Sequence, residues 1–243
     1  MSLTSYIKRL FSGENSGYRS SVLGEFTDFH SHILPGVDDG VEEIDESLEI
    51  LDAYAERGCR TLWLTPHIME DIPNSTDDLR KRFENLKKHY NGPIELHLAA
   101  ENMLDDLFIE RFTNDDILPI NGRMLLVETS YYAPPLEFYD ILENIKSKGY
   151  NIMLAHPERY NYMNENDYIK LKKLDINFQL NLLSLDGYYG HIVANKAKKM
   201  LVNGWYNFIG TDIHSRHQIK AIDHLSANGR LRQHISTLTQ NPQ

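Results

Sequence analysis

Two residue pairs with the same spacing carry most of the chemical information in this chain: His30 with His32, and Asp212 with His214. On a strand, residues i and i+2 point to the same side, so each pair offers two ligand atoms to one face. A single such pair is more readily a solvated or hydrogen-bonded histidine than a metal site. His67, Glu101, Glu128 and His156 extend the set. Its donors are nitrogen and oxygen with no sulfur, which suits manganese, iron or zinc better than a thiolate-type site. The number of candidate ligands points to two or three ions, with a carboxylate bridging between them.

Other residues stand close to these. LPGVDDG follows His32, and its Asp38 and Asp39 form an ordinary Asp-Asp-Gly turn or supply one further ligand. His156-Pro157-Glu158-Arg159 places an arginine three residues beyond a candidate ligand. An isolated arginine usually ends in a surface ion pair. Beside bound cations its guanidinium would suit phosphate or carboxylate, gripped through two parallel hydrogen bonds. Arg216, four residues past Asp212, is a second candidate of this kind or a charge at a helix start. Familiar alternatives are missing: there is no Walker A lysine loop, no GxGxxG and no GxSxG elbow. Cys59 lacks the phosphate loop of a Cys-dependent phosphatase and reads as a small buried apolar residue.

The elements that must position these residues alternate. Strand patterns fall at 26–29, 61–65, 94–99, 124–128, 151–155, 177–182 and 205–210. Helical patterns fall at 44–57, 76–90, 135–148, 164–173, 192–203 and 219–228. Ile44, Leu48, Leu51 and Tyr54 mark a one-face stripe in the first helix. Residues 100–121 show the least regular pattern, and the tail after Gly229 is polar. Strands alternating with helices imply a parallel sheet covered by helices. An open sheet and a closed barrel both satisfy that alternation. The candidate ligands sit at the C-terminal ends of nearly every strand, and in a (β/α) barrel those ends converge on one mouth. The distribution favours the barrel. Tyr131-Tyr132 and Tyr188-Tyr189 would lie near that mouth, as loop packing or as a rim that receives an aromatic side chain.

The 243 residues include 41% hydrophobic side chains, enough for a sizeable core, and α/β barrels of about 250 residues form one domain. Residues 1–24 read as an extension, flexible or a short helix, ahead of a single domain over 25–243. The formal net charge of −10 argues against a nucleic-acid face. One cysteine allows no intrachain disulfide. No apolar run reaches the roughly 18 residues of a membrane helix, and no signal-peptide pattern opens the chain. The expected location is the cytoplasm, without membrane insertion.

The motifs DFHSHILPGVDDG (28–40), TPHI (65–68), AAEN (99–102), LLVETS (125–130), AHPERY (155–160), QLNLLSLDGYYG (179–190) and GTDIHS (210–215) resemble the PHP (polymerase and histidinol phosphatase) superfamily. Within it they look like the bacterial manganese-dependent tyrosine phosphatases of the CpsB/CapC/YwqE type. The resemblance covers residues 25 to 230 or so. It implies a distorted (β/α)7 TIM-like barrel around a centre of two or three Mn2+ ions, with Fe or Zn as substitutes. It assigns His30, His32, Glu101 and Asp212 to one ion. Glu101 as a bridge, Glu128 and His156 would hold a second, and Asp39, His67 and His214 a third. Arg159 matches the family's phosphate-binding arginine. A second family arginine follows the DxH motif by several residues, and Arg216 here comes earlier. The 24-residue lead-in is a departure, since the family begins almost at its first metal motif. The implied substrate is phosphotyrosine on a protein, a bacterial tyrosine kinase that controls capsule or exopolysaccharide export.

The chemistry expected of such a site is hydrolysis without a covalent phospho-enzyme, because bound cations lower the pKa of water from 15.7 toward about 7. Its rivals are a small-molecule phosphatase of the histidinol-phosphate type, a nuclease, and a protein that binds metal without catalysis.

Overall fold

Strands of a parallel sheet covered on both faces read as unbroken apolar runs. Leu125-Leu126-Val127 in β6 (Met124–Glu128) and Ile152-Met153-Leu154 in β7 (Asn151–Leu154) are such runs, and all six are buried. The computed structural model describes residues 23–225 and 229–240. The expectation for the first residues, a flexible or short helical extension, therefore lies almost wholly outside the described residues.

The other strands are β1 (Phe26–Asp28), β2 (Cys59–Leu64), β3 (His67–Ile68), β4 (Glu95–Leu98), β5 (Glu101–Met103), β8 (Asn177–Asn181) and β9 (Phe208–Gly210). Every pairing between them is parallel. One sheet has the order β1-β2-β4 and the other β3-β5-β6-β7-β8-β9. Thr65-Pro66 separates β2 from β3, where proline offers no N–H to a ladder. Ala99-Ala100 separates β4 from β5. Backbone bonds run on through both gaps, from Ala99 N to Leu64 O at 3.0 Å and from Glu101 N to Pro66 O at 3.1 Å. At the other edge, Phe29 N donates to Ile209 O (3.1 Å), Asp212 N to His30 O (2.8 Å) and His32 N to Ile213 O (2.9 Å). The molecule is an α/β fold of parallel sheets, as the alternation implied.

Alternation along the strands sorts the core into two layers. Phe29, Trp63, Ala99, Leu126, Met153, Ala155 and Phe208 form one apolar cluster on the side away from the helices. Leu125, Val127, Ile152, Leu154 and Leu180 belong to a larger cluster shared with the helices. Into it α1 (Ile44–Glu56) buries Ile50, Leu51 and Tyr54, and α2 (Thr76–His89) buries Leu79, Phe83 and Leu86. The remaining helices are α3 (Asp106–Thr113), α4 (Phe138–Ser147), α5 (Glu165–Lys173), α6 (His191–Val202), α7 (Arg216–Ala221) and α8 (Gly229–Gln240).

Several boundaries differ from the sequence reading. The irregular stretch 100–121 contains β5 and α3, which Asp105 caps by accepting from Phe108 N at 2.8 Å. The polar tail holds α8, whose Ile235 is buried. Helix α4 begins at Phe138 rather than 135, because Pro134-Pro135 hold the preceding chain extended. The helix expected at 219–228 begins earlier, at Arg216, and passes into a 3-10 turn at Ile222–His224, while 226–228 lie outside the described residues.

Candidate metal centre

The centre is built where β1 runs out. His30 and His32 are fully buried and lie on one side, while Ser31 between them turns away and donates to Trp63 O at 2.9 Å. Gly210 of β9 allows the close approach that seats His30: a Cβ there would stand 2.6 Å from the Cβ of His30. Gly40 closes the Asp-Asp-Gly turn in the same way, since a Cβ would meet His32 O at 2.0 Å.

Glu101, the first residue of β5, is the hub. Its Oε2 lies 3.0 Å from His30 Nε2, 3.2 Å from His32 Nε2 and 3.1 Å from His67 Nδ1. Its Oε1 lies 3.1 Å from His156 Nε2. Glu128 at the end of β6 reaches His67 Nδ1 at 3.1 Å. Asp212 Oδ1 stands 3.6 Å from His30 Nε2 and 3.4 Å from His32 Nε2. Asp39 Oδ1 stands 3.6 Å from His67 Nε2 and 3.4 Å from His214 Nε2. All nine candidate ligands therefore come together, and eight are buried or nearly so, Asp39 being the exposed one.

Ligand atoms within 4.8 Å of one another form three groups: His30, Glu101, His156 and Asp212; His32, Asp39, His67 and His214; and His67, Glu101 and Glu128. The division differs from the one implied by resemblance in placing His32 beside Asp39 and His156 beside Asp212. Packing is so tight that His32 Nε2 is also within reach of Glu101 and Asp212.

Partners outside this set orient the rings. Gln179 Oε1 lies 3.0 Å from His30 Nδ1 and also accepts from His156 N at 3.1 Å. Asp38 Oδ2 lies 2.8 Å from His32 Nδ1, and Asp212 O lies 2.9 Å from His214 Nδ1. In each case the outer ring nitrogen is engaged and Nε2 is left facing the cluster, the arrangement found behind metal-bound histidines. Of the two turn aspartates, Asp38 thus orients a ring and Asp39 faces the cluster. Sequence reading missed Gln179, Asn181 and Asp28. The signal was available as polar side chains at i, i+2 in a strand buried on both faces, and at i−2 from His30. Asp28 is fully buried and accepts from His30 N, Thr211 N, Thr211 Oγ1 and Tyr54 Oη, locking β1 to β9 and α1.

Charge and strain concentrate here. Burial opposes protonation of His30, yet the Glu101 and Asp212 carboxylates outweigh it and raise its pKa to about 9. His67 follows the same balance to about 10, through Glu101 and Glu128. Burial and the charge of Glu101 raise Glu128 to about 7. His156 goes the other way, to about 4, through burial and the nearby Arg159. His156 (φ 33°) and Asp212 (φ 54°) also occupy left-handed backbone that non-glycine residues rarely adopt.

Incompletely partnered atoms test whether cations fit. Among the described residues, the buried His156 Nδ1 has no hydrogen-bond partner, while His67 Nδ1 and Glu128 Oε1 face each other at ion-pair distance, 3.1 Å, without a well-formed hydrogen bond. A buried orphan costs about 1–3 kcal/mol unless something satisfies it. Clustered carboxylates and open nitrogen and oxygen donors fit hard or borderline divalent ions.

The two arginines part company. Arg159 sits in the 3-10 turn Pro157–Arg159, with Nη1 2.5 Å from Asp212 Oδ2. Tyr131 and Tyr189 flank its guanidinium, with ring centroids 4.5 Å and 4.1 Å from Cζ. Arg216 is exposed and pairs with Glu49 of α1 at 2.5 Å. Tyr131 and Tyr189 thus turn inward, while Tyr132 and Tyr188 are exposed.

A family model described as "Capsular polysaccharide synthesis, CpsB/CapC" matches residues 26–227. The chain is 28% identical over 202 residues to CapC of Staphylococcus aureus, covering 77% of this chain and 76% of that one. It is 26% identical over 201 residues to the tyrosine-protein phosphatase YwqE of Bacillus subtilis, covering 77% of each. A crystal structure from work on YwqE and on CpsB of Streptococcus pneumoniae, described there as metal-dependent tyrosine phosphatases, matches with a TM-score of 0.75. That match covers 88% of this chain and 95% of the other at 20% identity, and it carries the fold alone.

Proposed function

This chain belongs to the CpsB/CapC capsular polysaccharide synthesis family, and from that premise we propose that it is a metal-dependent phosphomonoesterase acting on protein phosphotyrosine. The observation that carries the reading is a guanidinium, that of Arg159, on the same carboxylate, Asp212, that completes a buried His/Asp/Glu cluster. Two or three Mn2+ ions, with Fe or Zn as substitutes, would be held by His30, His32, Asp39, His67, Glu101, Glu128, His156, Asp212 and His214. Gln179 and Asp38 keep the rings of His30 and His32 turned toward them.

Bound cations supply an acidified water and polarise phosphoryl oxygens. The residues do the rest. Arg159 presents in-plane N–H groups to non-bridging phosphate oxygens and neutralises charge that grows in the transition state. Cys59 takes no part: it is fully buried, and burial pushes its thiol up. The strand-edge bonds from β1 to β9 and through the β2–β3 and β4–β5 gaps support a closed, distorted (β/α)7 barrel, whose mouth would hold the site. Residues 25–243 would be its single domain.

The protein substrate we infer is a tyrosine kinase of the capsule or exopolysaccharide system, met in the cytoplasm. Among the described residues no helix is long and apolar enough to cross a membrane. A panel of phosphotyrosine peptide, histidinol phosphate, a phosphodiester and single-stranded DNA, each with Mn2+, tests the reading. Hydrolysis of the peptide in preference to the others is expected. Preference for histidinol phosphate would make the protein a small-molecule phosphatase, and cleavage of the DNA would make it a nuclease.

A further inference from the structure

Tyr131 and Tyr189 do something for Arg159 that no hydrogen-bonding neighbour could. The guanidinium carbon lies over both rings, 4.5 Å from the centroid of Tyr131 and 4.1 Å from that of Tyr189. Both phenols are pushed well above their ordinary range, chiefly by burial, so the rings stay neutral. A guanidinium carries all its donors at the edge of its plane. A residue that oriented it by hydrogen bonding would consume donors that a phosphate needs. An aromatic face orients it through cation–π attraction and consumes none. One edge position is taken by Asp212 at Nη1. Asn181 links the two kinds of partner, its Nδ2 lying 2.9 Å from Asp212 Oδ2 and 3.2 Å from Tyr189 Oη. Glu158 in turn anchors Asn181 by accepting from its backbone N at 3.0 Å.

We propose that Tyr131 and Tyr189 are positioning residues for the phosphate-binding arginine, fixing the plane of the Arg159 guanidinium by their faces while leaving its free edge to the phosphoryl group. This rests on the phosphatase reading above. It makes the inner tyrosine of each Tyr-Tyr pair part of the anion site, and it gives the hydroxyls no role in holding phosphate.

The two ring properties, face and hydroxyl, can be separated. Tyr189→Phe keeps the face and loses the hydroxyl, whereas Tyr189→Leu keeps apolar bulk and loses the face. Binding of inorganic phosphate to the full-length, Mn-supplied protein is measured by titration calorimetry, with melting temperature on the same samples. Tyr189→Leu should weaken phosphate binding about 2- to 30-fold, the range of one cation–π contact from exposed to desolvated. Tyr189→Phe should stay within about twofold of the parent. In an Arg159→Ala background, Tyr189→Leu should add nothing, because its effect runs through the guanidinium. Tyr131→Leu repeats the measurement at the second ring and serves if Tyr189→Leu does not fold.

Equal losses in Tyr189→Phe and Tyr189→Leu would overturn the proposal, and so would a Tyr189→Leu effect that survives without Arg159. Unchanged phosphate affinity in both leucine variants would overturn it as well. The phosphatase reading fails separately: a protein that binds phosphate with this tyrosine dependence but leaves phosphotyrosine peptide intact would keep the positioning role and lose the assigned substrate.

Discussion

At the scale of the residue, Arg159 and the weaker candidate Arg216 lie in different surroundings. Arg159 is mostly buried against Asp212, and Arg216 is exposed against Glu49. Arg159→Lys should therefore lower turnover by about 10²–10³, as for loss of an oxyanion-type donor, although the charge survives. Metal content and melting temperature should hold. Arg216→Ala should leave turnover within about twofold, at about 0–1 kcal/mol in stability. Comparable activity losses in the two variants would show that the surface pairing of Arg216 misrepresents its role. A second prediction concerns protons. The carboxylates raise His30 to about 9 and His67 to about 10, so both rings are protonated near neutral pH before cations bind. Ligation requires the neutral ring, so loading must release protons and affinity must rise with pH across the 6–8 interval. Calorimetry of Mn2+ binding in buffers of different ionisation enthalpy should report net proton release. A buffer-independent heat would contradict it.

At the scale of the element, the candidate ligands other than Asp39 were legible because they stand in or just beyond predicted strands, where type and spacing speak together. The strands at 124–128, 151–155 and 177–182 and the helices at 44–57 and 76–90 emerged within a few residues of their sequence limits. What stayed hidden was tertiary. Strand β5 has three residues and exists because β3 and β6 flank it, which no local pattern records. Asp28 reads as an ordinary strand-end carboxylate until Thr211, 183 residues away, and Tyr54 of α1 are brought onto it. Tyr54→Phe should test that lock. It removes one donor from a buried carboxylate and should cost about 1–3 kcal/mol, or several degrees in melting temperature. Mn2+ content should be kept, since Tyr54 is not a proposed ligand. An unchanged melting temperature would mean that the β1–β9 junction does not depend on this network.

At the scale of the whole molecule, parallel strands deliver histidines and carboxylates from β3, β5, β6 and the segments after β1, β7 and β9 to one place. That gathering sets the buried carboxylates Glu101, Glu128 and Asp212 in one histidine-lined cluster, a combination that hard cations resolve and that a purely structural core would avoid. The most direct test of the central claim is phosphate release from a phosphotyrosine peptide by protein stripped with a chelator, then resupplied with Mn2+, with metal content measured at each stage. The prediction is loss of activity with the metal and its return with Mn2+. Full turnover by protein verified as metal-free would contradict it.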